Sequence, residues 1–80
     1  MSSFEEYFYY NISNKIRQYR IIFGYTQEQL SELLGKNLKY IGHIERQERK
    51  ISQDALLQLM QIFKVQPTDF YNFDEKYIWK

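Results

Sequence analysis

The sequence predicts an all-α domain built from five short helices. Three observations predict it. Apolar residues recur at three- and four-residue spacing in several windows, the period of one helical face. Asn, Thr and Ser side chains stand just before those windows, where helix N-caps belong. Gly24, Gly35 and the single proline, Pro67, fall at the boundaries of the windows.

The first helix is expected from about Asn11 to Phe23, with Ile12, Ile16, Tyr19 and Phe23 on its inward face. Gly24 ends it as a C-terminal glycine. Thr26 caps the second helix, Gln29 three residues on completes a capping box, and Tyr25 can staple onto Leu30. Leu30, Leu33 and Leu34 are expected to point inward before Gly35 stops the chain. Two turns of helix do not hold by themselves, so tertiary packing must fix this element. Asn37 caps a third helix, residues 38–46, with Ile41 and Ile44 inward and an end near Arg46. The polar stretch 47–51 reads as a loop. Ser52 caps a fourth helix from Gln53 to about Phe63. Its core stripe is Leu56, Leu59, Met60 and Phe63, with Ile51 and Leu56 as a second staple and Asp54 in the first turn, where the helix dipole favours an anion. Pro67 suits the first turn of a fifth helix carrying Phe70 and Tyr71. An aromatic tail follows, with Phe73, Tyr77, Ile78 and Trp79.

Eighty residues suit one domain, 1–80, with its core in 12–71. A chain this short has a modest core and often needs a staple. Cysteine is absent and His43 is the one histidine, so neither a disulfide nor a thiolate or zinc site can serve. A partner chain is the staple that is left. No metal, cofactor or small-molecule site is expected, and without Cys, a glycine-rich phosphate loop or a metal cluster neither is an enzyme. Glu5 and Glu6 near the start, with no leading basic run, do not read as a signal peptide. No apolar stretch approaches the roughly 20 residues of a membrane span. A soluble, cytoplasmic protein is the expectation.

The net charge is only +1, but its distribution is uneven. Residues 1–14 hold two acids and no base, 15–50 hold eight bases against four acids, and 51–80 hold three bases against four acids. Positive charge gathers in the middle of the chain, as a localised nucleic-acid face requires. The two helices joined at Gly35–Asn37 form a helix-turn-helix candidate over residues 26–46. In such a pair the first helix crosses the DNA backbone and the second enters the major groove.

The segment Gly24-Tyr25-Thr26-Gln27-Glu28-Gln29-Leu30-Ser31-Glu32-Leu33-Leu34-Gly35, followed by Tyr40-Ile41-Gly42-His43-Ile44-Glu45-Arg46, resembles the Cro/phage-repressor type of helix-turn-helix, the XRE family. The likeness extends over about residues 12–71 and includes the short controller proteins of restriction-modification systems. It implies a compact, five-helix, lambda-repressor-like domain with aromatic N- and C-terminal extensions. The implied function is sequence-specific binding of double-stranded DNA by a transcriptional regulator, a repressor or autoregulator, working as a homodimer. Carried over by position, Leu38, Lys39, Tyr40 and His43 read bases. Gln27, Lys36, Asn37, Arg46, Arg49 and Lys50 contact phosphate, and Gln27 also braces the recognition helix. Arg20 and Glu45 form a structural ion pair.

Three residues depart from the family pattern. Gln47 stands where glycine is usual, which implies a turn of different shape. Gly42 sits mid-helix, at a cost of about 1 kcal/mol relative to alanine unless it allows a close approach. Leu38 cannot hydrogen-bond a base, so a thymine methyl is its natural partner. The aromatic ends, Phe4 to Tyr10 and Phe70 to Trp79, either fold back on the core or join the fourth and fifth helices in a dimer interface. The competing reading is an antitoxin or protein-interaction module that uses those ends as its partner surface.

Overall fold

The structure, a computed structural model, describes residues 3–73. Five helices follow in order: α1 (Phe4–Ile22), α2 (Gln27–Leu33), α3 (Tyr40–Glu45), α4 (Gln53–Phe63) and α5 (Pro67–Phe70). Tyr77, Ile78 and Trp79, expected in an aromatic tail, lie outside the described residues.

The longest helix starts earlier than Asn11. Ser3 is its N-cap, and Ser3 with Glu6 makes a reciprocal capping box. Asn11, the expected start, and Ser13 instead turn back onto the helix. Asn11 Nδ2 donates to the Tyr7 carbonyl at 2.8 Å, and Ser13 Oγ lies 2.8 Å from the Tyr9 carbonyl. Bonding to the carbonyl four residues back satisfies a short polar side chain inside a helix.

The second helix forms as its signals demand. Thr26 Oγ1 accepts from Gln29 N–H, and Gln29 Oε1 accepts from Thr26 N–H. Leu30 and Leu34 are buried, but Leu33 is 52% exposed, contrary to expectation. Its Cα–Cβ direction lies roughly a third of a turn away from the face carrying Leu30, Ser31 and Leu34. Gly35 closes the helix with φ +69°, a conformation that favours glycine.

The third helix is shorter than residues 38–46. Asn37 Oδ1 accepts from Lys39 N–H, and the Asn37 carbonyl accepts from Tyr40 N–H. These bonds make a turn, so Leu38 and Lys39 stand on the approach to α3 rather than within it. Lys39 is the N-cap and supplies no side-chain bond. The missing cap comes from another helix: the buried Ser31 Oγ accepts from Ile41 N–H at 3.0 Å and donates to the Gln27 carbonyl at 2.8 Å.

The core joins Ile12 and Ile16 of α1 to Leu30, Ile41, Ile44, Leu59, Phe63 and Phe70. Tyr19 stacks on both Phe63 and Phe70, with centroids 5.4 and 5.9 Å away. Phe23, expected inward, is 40% exposed but keeps an edge on Phe63. The two ends of the described chain meet in one aromatic layer. Phe8 lies 6.0 Å from Tyr71 and Tyr7 lies 5.8 Å from Phe73, centroid to centroid. The fold-back reading thus accounts for these rings.

Gln47 has φ +61°, so the turn after α3 keeps a glycine-like left-handed shape without a glycine. That geometry costs an L-residue about 1–2 kcal/mol, partly offset by the greater unfolded-state freedom of glycine. Gln47→Gly is therefore expected to stabilise the fold by about 0.5–1 kcal/mol, a rise in Tm of about 2–8 °C in a thermal melt. A lower Tm would contradict the strain assigned to this turn.

Candidate nucleic-acid interface

The central feature of the motif is a carboxylate near the C-terminal end of α3. Glu45 has a side chain only 6% exposed. Arg20 of α1 reaches it with two donors, Nε to Oε2 at 2.7 Å and Nη2 to Oε1 at 3.1 Å. Gln27 of α2 adds a third, Nε2 to Oε1 at 3.0 Å. The remaining Arg20 nitrogen, Nη1, donates to the Tyr25 carbonyl in the α1–α2 turn. The expected ion pair is present, and Gln27 braces α3 through it. A second tie joins α1 to α3, because Ser13 Oγ lies 2.9 Å from the Ile44 carbonyl. Ser13, Ser31 and Glu48 are residues that sequence reasoning missed. A small polar residue among the leucines of α2 was the signal available for Ser31.

Gly42 packs against this network. A Cβ there would stand 3.1 Å from Gln27 Oε1 and 3.1 Å from Arg46 Nη1. Glycine at this point gives a close approach to the Gln27 amide and the Arg46 guanidinium, which offsets its low helix propensity.

With the inner face of α3 so occupied, Leu38, Lys39 and His43 are left toward solvent. Leu38 is 53% exposed. Lys36 and Asn37 are exposed on the preceding turn, and Arg46, Arg49 and Lys50 on the following loop. Tyr40 departs from its expected place. Its ring is in the core, 3% exposed, and does not present an edge for base reading. Its hydroxyl accepts from Ser52 N–H at the start of α4, at 3.3 Å. Its ring instead gathers cations: Lys36 Nζ lies 5.4 Å and Arg49 Cζ 5.0 Å from the centroid. Tyr40 thus draws together one cation from each loop that flanks α3.

Lys50, Arg46 and His43 have acidic neighbours. Lys50 Nζ lies 2.6 Å from Glu5 Oε2, and this hydrogen bond raises the Lys50 pKa above the ordinary lysine value. Glu48 takes a hydrogen bond from His43 and then one from Arg46, which together hold its carboxyl below the ordinary carboxylate value. Among the described residues no group of His, Asp and Glu side chains is arranged to hold a metal ion. No described helix is long and apolar enough to cross a membrane.

The helix-turn-helix family matches residues 16–70. The control protein C.SmaI of Serratia marcescens is 40% identical over 48 residues, 60% of this chain and 57% of that protein. The chain therefore spans little more than half of C.SmaI. Among solved structures, the restriction-modification controller protein C.AhdI from Aeromonas hydrophila is similar with a TM-score of 0.68 at 27% identity, covering 78% of this chain and 94% of that one. C.Esp1396I bound to a 25 base pair operator site gives a TM-score of 0.68 at 28% identity, covering 80% and 84%.

Removing Arg20 would leave Glu45 charged and almost out of water. Arg20→Ala is expected to cost about 3–5 kcal/mol, the scale of breaking one side of a buried pair. Gln27→Ala should cost less, about 1.5–3 kcal/mol for a hydrogen bond to a charged group. Urea unfolding measures both, and equal losses would contradict the ranking.

Proposed function

The chain belongs to the helix-turn-helix family, and from that membership we propose that it is a sequence-specific, double-stranded DNA-binding transcriptional regulator of the restriction-modification controller kind. The observation that carries the reading is the division of α3 into two faces. Its inner face is held by Arg20, Gln27, Ser13 and Ser31, and its outer approach offers Leu38, Lys39 and His43. The similarity to C.Esp1396I on its operator supports the same division.

In this reading α3 enters the major groove, which is wide enough for one helix. Lys39 and His43 supply polar contacts to base edges, and Leu38 packs on a thymine methyl. Lys36, Asn37, Arg46, Arg49 and Lys50 contact phosphates on either side, which positions the domain without selecting sequence. Gln27 serves mainly as the brace. Lys50 must leave Glu5 to reach a phosphate. Repression or autoregulation is the regulatory mode we assign, and the cytoplasm follows as the location from the partner.

A homodimer on a two-fold-related site fits the small footprint of one domain, since few phosphate contacts bind weakly at physiological salt. We assign its interface to α4 and α5. Leu57 is exposed there beside Met60, Val65 and Pro67, which line one groove. Phe4, half-exposed beside Tyr7 and Phe8, extends that surface only if the partner wraps the N-terminus.

Affinity for duplex DNA measured across salt concentrations tests the proposal. The wild type is expected to lose affinity steeply as salt rises, with a slope near −0.9 per neutralised phosphate. Arg49→Ala should weaken all duplexes and flatten the slope by about 1, whereas Lys39→Ala should change discrimination at particular base pairs. Duplex binding that is absent, or indifferent to salt, would overturn the reading.

A further inference from the structure

The turn that ends α3 carries a carboxylate back onto the only histidine of the chain. Gln47 N–H donates to the Ile44 carbonyl at 3.0 Å, and Glu48 N–H donates to the His43 carbonyl at 2.8 Å. With Gln47 left-handed between them, these are the paired bonds of a Schellman closure. The closure anchors the Glu48 backbone to the very residue that its side chain meets. Glu48 Oε1 lies 2.8 Å from His43 Nδ1, and Glu48 Oε2 lies 3.3 Å from Arg46 Nε. The contact thus grows out of the backbone path and is not a chance meeting of two long side chains.

We infer that Glu48 is a specificity-determining positioning residue that acts through His43, holding the imidazole proton on Nδ1 and leaving Nε2 to face a base. The inference rests on the DNA-binding reading above. Its chemistry follows from counting protons. An ionised carboxylate only accepts hydrogen bonds, so Nδ1 must donate. While the imidazole is neutral it has one N–H, so Nε2 then carries a lone pair and accepts, whereas a protonated ring donates from both nitrogens. The base edges that donate in the major groove are the amino groups of adenine N6 and cytosine N4. Neutral His43 so held selects adenine or cytosine. With Glu48 gone, the proton is free to sit on Nε2, which then donates to guanine O6 or N7, adenine N7 or thymine O4 and no longer accepts from cytosine N4. Glu48 would change the base chosen without touching DNA itself.

The test uses the full chain with Glu48→Ala and Glu48→Gln, the second of which keeps an amide oxygen able to accept from Nδ1–H. Nitrogen-15 spectra of the ring, free of DNA and at the alkaline end of a pH titration, give a single histidine signal. The wild type and Glu48→Gln should show the proton on Nδ1, and Glu48→Ala should move it toward Nε2. Binding at the same alkaline pH to a panel of duplexes varied at every position of a selected site gives the second readout. Glu48→Ala should shift the preference at one base pair away from cytosine and toward guanine or thymine by about five- to tenfold, the scale of one hydrogen bond, with adenine, which offers both a donor and an acceptor, changed least. Glu48→Gln should keep the wild-type preference, and Glu48→Ala should add nothing to His43→Ala at that base pair. An unmoved ring proton in Glu48→Ala, or equal changes of preference in both Glu48 variants, would overturn the inference while wild-type binding stands. Loss of salt-dependent duplex binding in the wild type itself would instead overturn the DNA reading, and this inference with it.

Discussion

A carboxylate almost out of water, Glu45, is the constraint on which the rest of the motif depends. Removing two charges from solvent costs several kcal/mol per ion, and close pairing with full hydrogen bonding is what offsets it. Arg20 provides the countercharge in a two-point grip, and Gln27 takes up one more lone pair. Those donors come from α1 and α2, so satisfying one side chain fixes the positions of three helices. Six residues of helix would not persist alone. α3 persists because its last turn is tied through Glu45, its first turn is capped by Ser31, and its Ile41 and Ile44 are in the core.

That economy has a functional consequence. The bonds that tie α3 to α1 and α2 lie on its inner side, and on its outer side His43 is bonded only within the closing turn, to Glu48. Gly42 marks where the two sides meet, since only a residue without Cβ leaves unhindered room for Gln27 and Arg46 there. Tyr40 does related work from below. Its buried ring holds Lys36 and Arg49 near each other, and its hydroxyl ties the start of α4 to the motif. The face offered to DNA is therefore ordered mainly by residues that do not belong to it.

Much of this was legible in the sequence, and the failures share a cause. Thr26 with Gln29, Ser52, Pro67 and the stripe from Leu56 to Phe63 are local signals, and local hydrogen bonds or one helical face realise them. The expected α1 start differs from the observed one because Asn11 looks like a cap but bonds within the helix, while the Ser3–Glu6 box sits further upstream. Leu33 and Tyr40 were misjudged because a helix of two turns or fewer has too few residues to define its buried side. Ser31 capping α3 is a contact across ten residues that no periodicity announces. The Arg20–Glu45 pair was read through family resemblance rather than spacing. Gln47 shows the converse: the turn geometry is retained where the residue type that usually signals it is not.

The most direct measurement is the change in backbone amide shifts when the chain is titrated with a duplex selected from random sequence. The account predicts the largest changes at residues 36–39, at His43 and at 46–50. Changes confined to α4 and α5, or to the outer face of α1, with residues 36–49 unmoved, would contradict it.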